Sequence, residues 1–133
     1  MKDEKEQEHA KEQAKLQYES IAEIVKELRD ARESDDNDAV DIAERRMDES
    51  PLDIQVRSDW HSPGTENTNA EYSILLCTGG PACRITGELN QYCEPETARI
   101  EYQDWFTAWA DWPLDSAQEA VVLEYAQHFY FDN

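Results

Sequence analysis

Basic residues are scarce in this sequence and almost absent from its C-terminal part. The 133 residues include 12 lysines and arginines against 31 aspartates and glutamates, which gives a formal net charge of -19 at pH 7. After Ser50 the only lysine or arginine side chains are Arg57, Arg84 and Arg99. Because binding to nucleic acid or anionic lipid depends on Lys and Arg that neutralise phosphates, this composition argues against either as a direct ligand.

Long apolar runs are missing as well. No segment approaches the ~20 apolar residues that cross a bilayer, and the opening MKDEKEQEHAKEQ lacks the hydrophobic region of a signal peptide. We therefore expect a cytosolic protein. The cysteines Cys77, Cys83 and Cys93 have no Cys or His at the close spacings of common zinc sites, so we predict reduced, partly buried thiols, no metal site and no cofactor.

Catalytic patterns are equally hard to find. The histidines His9, His61 and His128 are far apart in the sequence, and the carboxylates are too numerous for one acid–base pair to stand out. The TGGP segment at 78–81 lacks the lysine and the following helix of a phosphate-binding loop, so it is interpreted as a hairpin turn. We predict that the protein is not an enzyme and acts by binding another macromolecule.

The length and composition predict one domain. With 39% hydrophobic and 10% aromatic residues, the chain can bury one modest core. The predicted organisation is a charged helical hairpin over residues 1–50 followed by an α+β body over residues 51–133.

The N-terminal third is predicted to be helical. From Asp3 to about Arg32 there is no Gly or Pro, and Glu, Lys, Gln and Ala dominate. A shorter helix is predicted from Asp38 to Asp48, ending before Pro51. In the first helix, apolar residues spaced by four and three form one stripe, consisting of Ala14, Tyr18, Ile21, Val25 and Leu28.

The stripe has two possible partners. Tyr18, Ile21, Val25 and Leu28 can pack on the protein's own sheet or form the seam of a homodimer. A helix of thirty residues is ~45 Å long, whereas strands of six residues span only ~20 Å. This mismatch favours the dimer seam.

The remaining chain is predicted to form four antiparallel strands and a last helix. Alternation of apolar and polar residues indicates a half-buried first strand, and the paired glycines at 79–80 indicate a hairpin. A capping box that begins at Ser116 starts a helix to about Phe129. The fold class is therefore α+β, with helices over one face of the sheet. The predicted strands are Leu52–Trp60, Glu71–Cys77, Ala82–Leu89 and Ala98–Gln103.

An aromatic run at 102–112 is the most unusual feature of the sequence. Tryptophan is enriched at the centres of protein interfaces, so the run can anchor a partner; it can also close the sheet edge against the last helix. With nearby carboxylates it gives the predicted partner-binding set: Glu94, Glu96, Glu101, Asp104, Trp105, Trp109, Asp111 and Trp112.

Two segments, LLCTGGPACRITGEL at 75–89 and EYQDW at 101–105, carry a resemblance to known proteins. Over residues 52–131 the chain resembles small acidic accessory proteins carried by phages and prophages of Gram-negative bacteria. The resemblance implies an anti-CRISPR or anti-restriction protein, several families of which imitate the charge of DNA. It implies no catalytic residues.

The leading hypothesis is therefore an inhibitor that occupies the basic nucleic-acid-binding surface of a host defence complex, such as a CRISPR-Cas complex, in the host cytosol. Complementary charge would accelerate the encounter. The alternatives are an anti-restriction protein and an oligomeric scaffold or adaptor that uses the N-terminal helix.

Overall fold

The structure is a computed structural model that describes residues 2–65, 69–79, 81–104 and 108–131, with the side chains of the first helix from Glu8 onward. It is an α+β fold in which two helices precede an antiparallel sheet and one helix follows it. The elements are α1 (Lys2–Glu33), α2 (Asn37–Glu49), β1 (Asp53–Ser58), β2 (Asn69–Cys77), β3 (Ala82–Glu88), β4 (Arg99–Gln103), β5 (Ala110–Trp112) and α3 (Ser116–Gln127).

The sheet has five strands in the order β1-β2-β3-β4-β5, each antiparallel to the next. The α+β class and its three helices are confirmed, but the prediction of four strands is wrong because it misses β5. With only three residues, β5 is too short to show an alternating pattern, and its pairing with β4 defines it. Of the glycines predicted to turn the β2–β3 hairpin, Gly79 has a positive φ of 102°, and Gly80 lies outside the described residues.

One row of side chains crosses the covered face of the sheet on all five strands. The row is aligned because each member is the Cα partner of the next across the antiparallel ladder. Three of its isoleucines are fully buried, so the row forms the floor of the core. Its members are Ile54, Ile74, Ile85, Ile100 and Trp112.

The stripe of α1 packs onto this face within the same chain. Ile21, Val25 and Leu28 are 2%, 3% and 5% exposed and belong to the same core cluster as Ile85 and Ile100. A dimer seam through these three residues is therefore not available without opening the core. Helix α1 can be longer than the strands because it also packs along α2 and α3, and not only along the sheet.

Aspartates cap both shorter helices. The Asp36 side chain accepts hydrogen bonds from the amides of Asp38 and Ala39. At α3, Asp115 Oδ1 accepts from the Gln118 amide at 2.7 Å, while Gln118 Oε1 accepts from the Asp115 amide at 2.9 Å. The predicted capping box is therefore displaced by one residue, because Asp115 competes successfully with Ser116 for the cap.

A close approach between β3 and the connection that precedes β4 requires Gly87. A Cβ atom at this position would lie 2.0 Å from the carbonyl oxygen of Thr97. The hydroxyl of Tyr72 donates to the same oxygen at 2.6 Å, so the carbonyl is fixed from the core side.

Among the described residues no helix combines the length and apolar character needed to cross a membrane.

Candidate partner-binding surface

The two described tryptophans of the predicted binding set both contact other parts of the chain. Trp112 is partly buried against the core, with its ring centroid 5.6 Å from that of Tyr18. Trp109 lies on the other face of the sheet, where the guanidinium carbon of Arg84 sits 4.0 Å from its ring centroid. Trp105 lies outside the described residues. For Trp112 the structure thus favours closure of the sheet over a partner-facing anchor.

Glu101 is engaged within the chain. Its Oε1 accepts a hydrogen bond from Arg84 Nε at 2.9 Å and another from Thr86 Oγ1 at 3.1 Å. The glutamate side chain is only 17% exposed. Arg84 is therefore held between a carboxylate and the ring of Trp109, and the charge of Glu101 is largely offset before any partner arrives.

The other predicted carboxylates are divided between two ends of the sheet. Glu94 and Glu96 are exposed in the connection that precedes β4, whereas Asp104 follows β4 and is only 8% exposed. Asp111 is exposed on β5, opposite Glu101. The predicted set is therefore not one patch. Glu94, Glu96 and Asp111 present their carboxylates to solvent, and Asp104 does not.

The arginines of the body all lie on the sheet face that the helices leave uncovered. Arg57, Arg84 and Arg99 alternate along their strands with residues of the covered face. Arg57 forms an ion pair with Glu71, as Arg84 does with Glu101. The uncovered sheet face thus carries all three arginines of the body, two of them paired with glutamates.

On the body as a whole, exposed carboxylates outnumber exposed arginines among the described residues. Among the described residues from 51 to 131, nine acidic side chains are exposed, against two arginines, Arg57 and Arg99. This imbalance survives folding because the carboxylates remain at the surface and are not consumed in buried pairs. The nine are Asp53, Asp59, Glu88, Glu94, Glu96, Asp111, Asp115, Glu119 and Glu124.

The α1–α2 corner is a second acidic region, which the predicted set did not include. The two arginines at the end of α1 are engaged: Arg29 with Glu124, and Arg32 with Glu44 at 3.7 Å. The sequence signal for this region is the run ESDDND at 33–38, which also separates α1 from α2. The exposed carboxylates of the corner are Asp30, Glu33, Asp35, Asp36, Asp38 and Asp41.

A groove of about 530 Å³ lies between the connection that precedes β4 and the end of α3. The amide of Gln127 donates to the carbonyl of Pro95 at 3.2 Å and ties the two walls together. Tyr92 and Tyr130 line the groove and are 71% and 81% exposed. Sequence reasoning missed this groove because its walls are 32 residues apart in the chain. The lining residues are Tyr92, Cys93, Glu94, Pro95, Gln127, His128, Phe129, Tyr130 and Phe131.

The connection that forms one wall of the groove is held by Asn90. Its Oδ1 accepts from the amide of Tyr92 at 2.8 Å and from that of Glu94 at 3.0 Å. Cys93 adopts a left-handed φ of 60°, a conformation that costs free energy for a residue other than glycine. These bonds fix the backbone that carries Tyr92 and Glu94.

The pKa shifts of Cys77 and Cys83 do not indicate that either thiol is a nucleophile. Burial raises the pKa of Cys83 to about 12, with a smaller contribution from Cys77, and burial also raises the pKa of Cys77. A thiol with a raised pKa is a poor source of thiolate. In the part of the chain that the structure describes, no group of three or more His, Cys, Asp or Glu side chains is placed to hold a metal ion.

Comparison with known proteins assigns no family to this chain: no protein-family model, no curated protein and no solved structure matches it. Its function has to be inferred from its own residues.

Proposed function

We propose that this protein is an acidic ligand for a basic macromolecule, and that it occupies the positively charged nucleic-acid-binding surface of another protein. The observation that carries the proposal is the imbalance of exposed charge on the body, where nine carboxylates face solvent against two arginines. Ordinary soluble surfaces intersperse both signs, and a surface of one sign steers an oppositely charged partner towards it.

The engagement of the arginines strengthens this argument. Arg57 and Arg84 are each paired with a glutamate, so two of the three arginines of the body are offset locally, while nine of its carboxylates remain exposed. At the corner formed by 30–41, six exposed carboxylates surround one arginine, Arg32, which contacts Glu44; the connection that carries Glu94 and Glu96 adds two more exposed carboxylates.

Within this class we propose a defence complex of a bacterial host, such as a CRISPR-Cas or restriction complex, as the target. Support for this narrower target comes only from the resemblance of segments 75–89 and 101–105 to phage accessory proteins. The scaffold alternative depended on the α1 stripe, whose central residues are internal, and no feature of the described surface favours it.

The proposal is tested by capture followed by competition. The full chain, immobilised, is exposed to a bacterial lysate, and bound proteins are eluted with a salt gradient and identified by mass spectrometry. A captured nucleic-acid-binding protein is then mixed with its DNA or RNA, and the chain is titrated into that complex in a mobility-shift assay. We expect the chain to displace the nucleic acid, and to do so less well as salt rises, because the Debye length falls from ~10 Å at 0.1 M to ~3 Å at 1 M.

A matched pair of variants separates a defined acidic surface from a general charge effect. One variant neutralises Asp30, Glu33 and Asp41 at the α1–α2 corner with the corresponding amides, and leaves the helix cap Asp36 intact. The other neutralises Glu8, Glu12 and Glu19, which are exposed farther along α1. Displacement that persists unchanged in both variants and at high salt would contradict the proposal.

A further inference from the structure

The groove between the 90–96 connection and the end of α3 combines features that the acidic-ligand proposal alone does not explain. Aromatic side chains rarely remain exposed without a use when several share one concave surface. Here Tyr92 and Tyr130 are exposed, while Phe129 and Phe131 of the same lining are more buried. Glu94 is the carboxylate in the same lining.

The deeper rings are held by the core. Phe131 is 2% exposed, and its ring centroid lies 4.9 Å from that of Tyr72. Phe129 packs edge-on against Tyr125 at 5.2 Å. With the Gln127–Pro95 bond and the Asn90 turn, these contacts form the groove before any ligand binds, which reduces the entropy lost on binding.

The charge of the groove selects its occupant. None of its described lining residues is lysine or arginine, and Glu94 contributes a carboxylate. His128 Nε2 lies 2.6 Å from Asp48 Oδ1, so a proton on that imidazole would face an aspartate. Aromatic ring faces attract cations, and a flat guanidinium can stack on tyrosine while it donates hydrogen bonds to a carboxylate.

The chain already contains one such arrangement. Arg84 stacks on Trp109 and donates to Glu101. The groove offers the same pair of groups, tyrosine rings and a carboxylate, without a lysine or arginine of its own among the described lining residues.

We propose that this groove binds an arginine side chain of the basic partner, stacked on Tyr92 and Tyr130 and hydrogen-bonded to Glu94. This inference rests on the proposed function and identifies the arginine subsite of that same interaction. The acidic surface accelerates the encounter, and the groove slows dissociation.

The first test uses peptides and the full chain. A seven-residue peptide with one central arginine is titrated while the aromatic and amide NMR signals of the protein are recorded. The same peptide with citrulline, which keeps the shape of arginine without its charge, is the control. We expect the signals of Tyr92 and Glu94 to shift with the arginine peptide, and the citrulline peptide to bind at least tenfold more weakly. Equal binding of the two, or tighter binding of a lysine or polyproline peptide, would overturn the assignment.

Matched variants locate the effect. Tyr92→Leu and Glu94→Gln should each weaken the arginine peptide about threefold. Trp60→Leu and Glu19→Gln remove an exposed aromatic and an exposed carboxylate outside the groove lining, and should leave the affinity for the arginine peptide unchanged. Equal losses from both pairs would contradict a defined subsite.

The captured partner distinguishes this inference from the broader function. If Tyr92→Leu speeds dissociation of the partner about threefold, the subsite is supported in the complex. If the partner binds with strong salt dependence but dissociates from Tyr92→Leu as it does from the wild type, the groove assignment is wrong and the acidic-ligand function stands.

Discussion

The ring of Tyr18 on α1 packs against the ring of Trp112 on β5, with centroids 5.6 Å apart and planes tilted by 32°. The sequence predicted Tyr18 for a dimer seam and Trp112 for a partner interface. In the structure the two rings cover each other. The pair joins the longest helix to the edge strand of the sheet. It therefore contributes to stability at the point where the sheet would otherwise be open.

We expect Trp112→Ala to lower the free energy of unfolding by about 2 kcal/mol and Tyr18→Ala by about 1 kcal/mol, because both rings are partly buried. The double variant should lose less than the sum, with a coupling of about 0.5–1.5 kcal/mol, as aromatic pairs show in double-mutant cycles. Urea unfolding measures these values. Trp60→Ala, at a fully exposed tryptophan, should change stability by less than about 0.5 kcal/mol. Additive losses at Tyr18 and Trp112 would mean that the ring contact contributes nothing.

Replacing Ile21 and Val25 together with lysine should unfold the protein. Both side chains are almost completely buried, and burying two unpaired ammonium groups costs several kcal/mol each, which exceeds the stability of a typical domain. Circular dichroism and a thermal melt measure the outcome. The control variant Leu16→Lys with Ile42→Lys makes the same chemical change at positions that are 49% and 61% exposed, and should remain folded. A folded Ile21 and Val25 variant would show that the stripe is not in the core.

The two stripe residues illustrate what sequence could and could not predict. Spacing of four and three correctly predicted which face of α1 is apolar, because helical periodicity is a local property. What covers that face depends on the path of the whole chain. The pattern of Ile21, Val25 and Leu28 is compatible with either partner, and only the packing of α1 over β3 and β4 decides between them.

The candidate site was harder to predict than the fold. Strand alternation predicted the covered face around Ile54, and the glycine-rich turn predicted the β2–β3 hairpin. The ion pair of Glu101 with Arg84 depends on the register of β3 with β4. The groove depends on Tyr92 and Tyr130 lining one cavity although they are 38 positions apart in the sequence. Neither arrangement produces a periodic pattern in the sequence. The exposed acidic surplus was predictable from composition, because carboxylates without partners stay in water.

Neutralising the exposed carboxylates should slow association with a basic partner more than it changes dissociation. Glu94→Gln, Glu96→Gln and Asp111→Asn combined should lower the association rate on the order of tenfold at low salt, because long-range attraction acts before contact. Stopped-flow or biosensor kinetics at several salt concentrations measure it. Glu101→Gln is a control that changes the net charge by only one and leaves Arg84 without its carboxylate, and it should lower the association rate less than the triple variant does. A triple variant that changes only dissociation would contradict electrostatic steering.

The hydroxyl of Tyr125 makes the fold sensitive to alkaline pH. It is hydrogen-bonded to Ser50 Oγ at 2.5 Å, and burial raises the pKa of Tyr125 from 10.0 to about 12, although the bond to Ser50 acts in the opposite direction. A raised pKa means that the fold favours the neutral phenol. The stability that this phenol contributes is complete below pH 10, its pKa in the unfolded chain, and is lost as pH rises through 12; the loss is on the order of 2 kcal/mol.

We expect Tyr125→Phe to be less stable than the wild type at pH 7 by about 1 kcal/mol, through loss of the hydrogen bond, but to lose less stability between pH 9 and pH 11. Urea unfolding at the three pH values measures both effects, with Tyr92→Phe, at an exposed tyrosine, as the control that should follow the wild type. Parallel losses in the wild type and in Tyr125→Phe would show that the fold does not raise the pKa of this phenol above its unfolded value.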